Sequence, residues 1–122
     1  MTIGIETIVI TAGTSVANAQ GTAVSTRPVI GEVVQVRNPG TALGGTCDYT
    51  LTRLSDGGTV WAGANVGGPF EFNPVLPTHL NSGTTLSGTA SVPGVPCNSH
   101  LQLVIGSAAA SAAGTLHVYY RY

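Results

Sequence analysis

Leu101-Gln102-Leu103-Val104-Ile105, then the small-residue run Gly106-Ser107-Ala108-Ala109-Ala110-Ser111-Ala112-Ala113-Gly114, then Leu116-His117-Val118-Tyr119-Tyr120: this stretch decides the fold class. Apolar residues recur at every second position on both sides of the run, the period of a strand with one buried face. If the two halves form a hairpin, the apolar sets match when Leu101 opposes Tyr120, Leu103 opposes Val118 and Ile105 opposes Leu116. Leu101, Leu103, Ile105, Leu116 and Val118 are then expected inside, with Gln102, Val104, His117 and Tyr119 on the other face. The intervening run reads as a floppy tip or a single helical turn.

The same reading extends outward. Cys47-Asp48-Tyr49-Thr50-Leu51-Thr52, Ser55-Asp56-Gly57-Gly58 and Thr59-Val60-Trp61 form a second hairpin, with Cys47, Tyr49 and Leu51 on its buried face. A two-residue turn sets Trp61 opposite Thr52 and outward. A three-residue Asp56-Gly57-Gly58 loop with a bulge turns it inward beside Leu51, the favoured arrangement for a lone Trp in a small β domain. Expected strands are Ile5–Ile10, Pro28–Arg37, Thr46–Leu54, Thr59–Ala64, Gly68–Phe72, Thr84–Ser91, Leu101–Ile105 and Thr115–Tyr122. Seven Pro and 17 Gly punctuate the chain too often for helices. The expected fold is all-β, an antiparallel β-sandwich or jelly roll in a single domain over residues 1–122. Residues 1–27 are read as an N-terminal strand or arm followed by a loop, and 28–122 as the sandwich.

Composition narrows the function classes. Charged residues are 7% of the chain, against about 25% in an average soluble domain, and Lys is absent. Sixteen Thr supply much of the polar surface, a residue that suits a pleated face. A net charge of −1 leaves little repulsion between copies, which suits a packed assembly. Arg27, Arg37, Arg53 and Arg121 are scattered, so no nucleic-acid partner is expected. No apolar run is long enough to span a membrane. Val16-Ala17-Asn18-Ala19 has the small-residue spacing of a signal-peptidase site, but no basic residue precedes it and Glu6 interrupts the apolar region, so no secretory signal is expected.

No catalytic, cofactor or metal site is expected. In the hairpin register above, His117 opposes Val104 and His100 opposes Arg121, which sets the two histidines on the order of 13 Å apart, too far to share a metal. His79 lies in a loop without a metal motif. Glu6, Glu32, Asp48, Asp56 and Glu71 form no close pair, and no Gly-x-Ser-x-Gly elbow is present. An enzyme would require His79, Asp48 or Glu71 to converge in one cleft. Cys47 and Cys97 both have core-facing parity, as an inter-sheet disulfide or as two buried thiols.

At Asp48-Tyr49-Thr50-Leu51-Thr52, Asp56-Gly57-Gly58, Phe72-Asn73-Pro74, Ser91-Val92-Pro93-Gly94, His100-Leu101-Gln102-Leu103-Val104-Ile105 and Gly114-Thr115-Leu116-His117-Val118-Tyr119-Tyr120, the chain resembles the small β-sandwich head-decoration, or cement, proteins of tailed bacteriophages. The likeness covers Gly45 to Tyr122. It implies a homo-oligomer, most often a trimer, made in the host cytoplasm and placed on the capsid exterior over junctions between major capsid proteins. It implies no catalytic residues. The expected interface residues are Ile3, Ile5, Ile8 and Ile10, whose apolar area needs a cover, and Tyr119, Arg121 and Tyr122, of types enriched in interface cores. Deleting Met1 to Ile10 is then expected to weaken attachment or trimer formation and leave a folded domain. The alternative is a carbohydrate-binding or host-adhesion sandwich of a virion fibre, using Trp61, Tyr119 and Tyr122 as exposed aromatics.

Overall fold

The computed structural model describes residues 2–15, 18–40, 46–77 and 91–122. Strict alternation turns the chain into strands: β1 (Ile3–Thr11), β2 (Ala19–Val24), β3 (Val29–Asn38), β4 (Thr46–Arg53), β5 (Thr59–Gly67), β6 (Phe70–Phe72), β7 (Val75–Pro77), β8 (Ser91–Pro93), β9 (Val95–Ser99), β10 (Leu101–Ala108) and β11 (Ala113–Arg121). No helix occurs among the described residues.

Two antiparallel sheets pack face to face as a β-sandwich. One, sheet A, runs β1-β11-β3, with β6 and β9 both on the far side of β3. The other, sheet B, runs β2-β10-β4-β5, and β7 and β8 pair separately. Inward positions of both sheets meet in one core: Ile8, Ile10, Val29, Val33, Val36, Leu116 and Val118 from sheet A, and Tyr49, Leu51, Leu101, Leu103 and Ile105 from sheet B. Each such side chain contributes roughly 1.5–3 kcal/mol by leaving water.

All seven residues expected inside are buried: Leu101, Leu103, Ile105, Leu116, Val118, Tyr49 and Leu51. Their pairing is not the expected one. β10 pairs with β2 and β4, with Leu103 opposite Ala23 and Leu51. β11 pairs with β1 and β3, with Val118 opposite Glu6 and Val36. Leu103 and Val118 therefore contribute to the core from different sheets, and no hairpin register relates His117 to Val104 or His100 to Arg121. The physical reason lies in the connection. Sheets stack about 10 Å apart, and the five Cα steps from Ala108 to Ala113 reach up to about 17 Å. Their small side chains close the crossing, with Ser111 N donating to Gly13 O at 2.7 Å and Ala12 N to Ala112 O at 2.7 Å. Ser111 takes a left-handed φ of 57°.

The β4–β5 hairpin forms, with Leu51 opposite Trp61 and Thr52 opposite Thr59, so Val60 is the extra residue of a bulge. The bulge turns Trp61 inward, as the longer-loop reading expected. Trp61 stacks on Phe70 and Phe72 at 5.5 and 5.4 Å between ring centroids, and Tyr49 meets Phe70 edge-on at 5.2 Å. At the tip, the Asp56 carboxylate accepts from Gly58 N at 2.9 Å and Arg53 Nε at 3.1 Å. These bonds hold its pKa below the ordinary value. Arg53 Nη1 reaches across to Pro96 O at 2.9 Å, tying the hairpin to β9 of the opposite sheet.

Three strands went unforeseen: β2, β9 and the three-residue β7, which falls between the expected strands Gly68–Phe72 and Thr84–Ser91. β2 falls in the stretch read as loop, because Ala19-Gln20-Gly21-Thr22-Ala23-Val24 has little apolar contrast. β9 contains Pro96, which argues against a strand unless the strand is an edge, and β9 pairs only with β3. The strand expected over Thr84–Ser91 lies outside the described residues but for Ser91, which opens β8.

Candidate interaction surface

On β1 the period of two divides the four isoleucines. Ile8 and Ile10 point inward and are buried in this subunit's own core, so they are not interface residues. Ile5 and Ile8 are three apart, and an odd spacing on a strand puts two residues on opposite faces. Ile3 and Ile5 point outward and are 54% and 48% exposed. Val9 shares their parity and is 66% exposed, and that parity is the sequence signal that marks it as a further surface residue.

The ladders assemble the rest of this face. Ile5 lies beside Tyr119, which lies beside Gln35. Ile3 lies beside Arg121 and Arg121 beside Glu32, with Arg121 Nη2 donating to Glu32 Oε2 at 2.6 Å. The next row is Thr7, His117, Arg37 and Glu71. Thr7 Oγ1 and His117 Nδ1 are 3.1 Å apart, and Arg37 pairs with Glu71 at 3.2 Å. Tyr119 and Arg121 thus share one outer face with Ile3 and Ile5. Tyr122 departs from it: its ring stacks on Tyr120 at 5.7 Å, and the two line an open apolar groove of about 310 Å³ with Pro28 and Ile30.

Glu6 is the unexpected member of β1, facing inward and 2% exposed. Its carboxylate accepts from Thr26 Oγ1 at 3.1 Å and pairs with Arg27 Nε at 3.4 Å. A buried charge needs such partners.

Among the described residues, Asp48 and Glu71 do not share a cleft. Asp48, on the outer side of sheet B, accepts from Asn65 N at 2.9 Å and Ser107 Oγ at 3.3 Å, whereas Glu71 belongs to sheet A. His79 lies outside the described residues. Among the described residues, no three of His, Cys, Asp and Glu come together as a metal site. Trp61 is buried and does not form part of an exposed aromatic platform.

Cys47 and Cys97 are both buried free thiols. Cys47 Sγ contacts Gly106 O at 3.2 Å at the start of β4. Cys97 follows Pro96, which receives Arg53 from the other end of β4. Six strand residues separate those ends, roughly 20 Å, too far for an intramolecular disulfide. Burial pushes both thiols above their ordinary pKa, leaving little nucleophilic thiolate at neutral pH. In the native protein both are expected to react with iodoacetamide far more slowly than a free thiol. Cys97 goes first, because it borders an open groove with Arg53, Ser55, Asp56 and Asn98. Mass spectrometry of a labelling time course checks this, and equal, rapid labelling of both would contradict it.

No protein-family model matches the chain, and no curated protein matches it.

Proposed function

We propose that the chain is a non-catalytic structural protein of a virion exterior, which assembles with copies of itself and binds a major capsid protein across capsomer junctions. The observation that carries this reading is the outer face of sheet A, where Ile3, Ile5 and Val9 stand exposed beside Tyr119 and Arg121. Such a face carries apolar area and the residue types of interface cores. The phage-decoration resemblance supplies the partner. Bridging neighbouring capsomers adds contacts that must break before a shell opens, and many weak copies act together.

The test adds purified protein to empty phage shells and follows co-sedimentation and the temperature at which shells break. Bound shells are expected to break at a higher temperature. Tyr119→Ala is expected to weaken binding at least tenfold, about 1.4 kcal/mol. Val104→Thr, on the outer face of sheet B, is the control and leaves binding unchanged. No binding to shells and no effect on their stability overturns the reading. Glycan binding lost on Tyr122→Ala would point instead to adhesion through the Tyr120–Tyr122 stack.

A further inference from the structure

Open sheet edges are aggregation sites, and folded proteins blunt them with bulges, proline, short strands or a covering segment. Among the described residues, most strand edges are blunted. β5 carries the extra residue at both of its register shifts against β4, β6 has three residues, and β9 contains Pro96. Beside β2, Gly13 N donates to Gln20 O at 2.8 Å, and Thr11 O lies against Gly21. β1 is the exception: nine residues without proline, paired with β11 in one unbroken register.

The direction of its free groups follows from the ladder. Thr2 and Tyr122 exchange both backbone bonds at 2.9 Å, and Ala12 N donates to Ala112 O. Antiparallel pairs alternate between bonded and non-bonded, so the even residues of β1 bond to β11. Ile3, Ile5, Thr7 and Val9 direct their N–H and C=O groups away from it. The same residues form the outward row of side chains, free of charge.

We propose that this edge joins β1 of a second copy by antiparallel strand addition about a two-fold axis at Thr7. Three observations favour a second copy over an unrelated strand. With Thr7 opposite itself, Ile5 meets Val9 of the other copy on the outer face, and the two strands overlap over residues 5–9, short of Thr11, whose carbonyl lies against Gly21 of its own copy. Those pairings have the bonded parity on both sides, giving about six inter-chain backbone bonds. The register centred one residue earlier would bury Glu6 against Glu6, like charges directly opposed. The inward carboxylate therefore disfavours that register, whereas in the one centred on Thr7 it faces Ile8. The two sheets then run on as one, and their outer apolar rows merge.

A strand edge of this length covers roughly 300 Å² per copy, below the ~800 Å² of a standard stable interface. Association is accordingly expected at high protein concentration, or on a surface that already holds copies side by side. The proposal does not rest on shell binding and is read with purified protein alone.

Bonded antiparallel partners have Cα atoms about 5.5 Å apart, within disulfide reach. Thr7→Cys under oxidised glutathione is expected to yield covalent dimer at least tenfold faster than Ile3→Cys, whose copies stand about eight residues apart, roughly 27 Å. In sedimentation at increasing concentration up to ~1 mM, the unaltered chain is expected to shift from monomer to dimer. Thr7→Pro, which removes an edge-facing N–H while sparing the β11 ladder, is expected to stay monomeric with an unchanged circular dichroism spectrum. A chain that remains monomeric throughout, forms a trimer, or cross-links equally through Thr7→Cys and Ile3→Cys overturns the proposal. If Thr7→Pro fails to fold, the paired cysteine variants still decide.

Discussion

A chain lacking residues 1–10 is expected not to fold. That stretch supplies nearly all of β1, which pairs residue for residue with β11 from Ile3 to Thr11 and places Ile8 and Ile10 in the core beside Leu116 and Val118. Two buried isoleucines contribute roughly 1.5–3 kcal/mol each, and each ladder bond a further ~1 kcal/mol. Against a typical net stability of 5–15 kcal/mol for a domain, the sum removes the folded state. The deletion would also strip the partners from Thr26 and Arg27, which are bound to Glu6. The structure thus argues against the expectation that a folded domain remains after this deletion, because the segment is the edge strand of sheet A. Thermal unfolding followed by circular dichroism checks it, and a cooperative transition in the shortened chain would show the prediction wrong. The single change Ile8→Ala is expected to cost about 2–5 kcal/mol and to retain a weakened transition.

Gly31→Ala is expected to lower the melting temperature by about 10 °C or more, from a loss of roughly 3 kcal/mol. Gly31 sits in β3 at φ +134°, a conformation nearly reserved for glycine. A β-carbon there would stand 2.1 Å from the carbonyl oxygen of Arg121 and 3.2 Å from Cβ of Tyr122. The first of these is backbone, which cannot rotate aside, so β3 and β11 must part where Glu32 and Arg121 pair. Gly106→Ala is the matched control, since a β-carbon there meets nothing within 4 Å, and it should leave the transition nearly unmoved. Equal melting temperatures for the two variants would contradict the account.

The candidate surface was legible only in part. Tyr119 and Arg121 lie on the outer face with Ile3 and Ile5, as their residue types suggested. Ile8, Ile10 and Trp61 were harder to assign, because apolar character alone does not distinguish a core from a contact. For the isoleucines parity within the strand distinguishes them. For Trp61 the bulge at Val60 does, by resetting parity between Thr59 and Trp61.

Local pattern determined that the chain is built of strands, where most of them lie, and which side of each faces inward, because side-chain direction on a strand depends only on position along it. Leu101, Leu103, Ile105, Leu116 and Val118 are buried as the alternation requires. Which strand lies beside which was decided by the tertiary structure. An apolar row fits equally well beside a neighbour in its own sheet or across the core from the opposite sheet, so Leu103 and Val118 can share a core without sharing a ladder. The length of the Ala109–Ala112 crossing, the competition of β1 and β3 for β11, and the inward Glu6 with its Arg27 partner settled that choice. The last two depend on contacts between residues distant in the chain, which alternation within one strand does not encode.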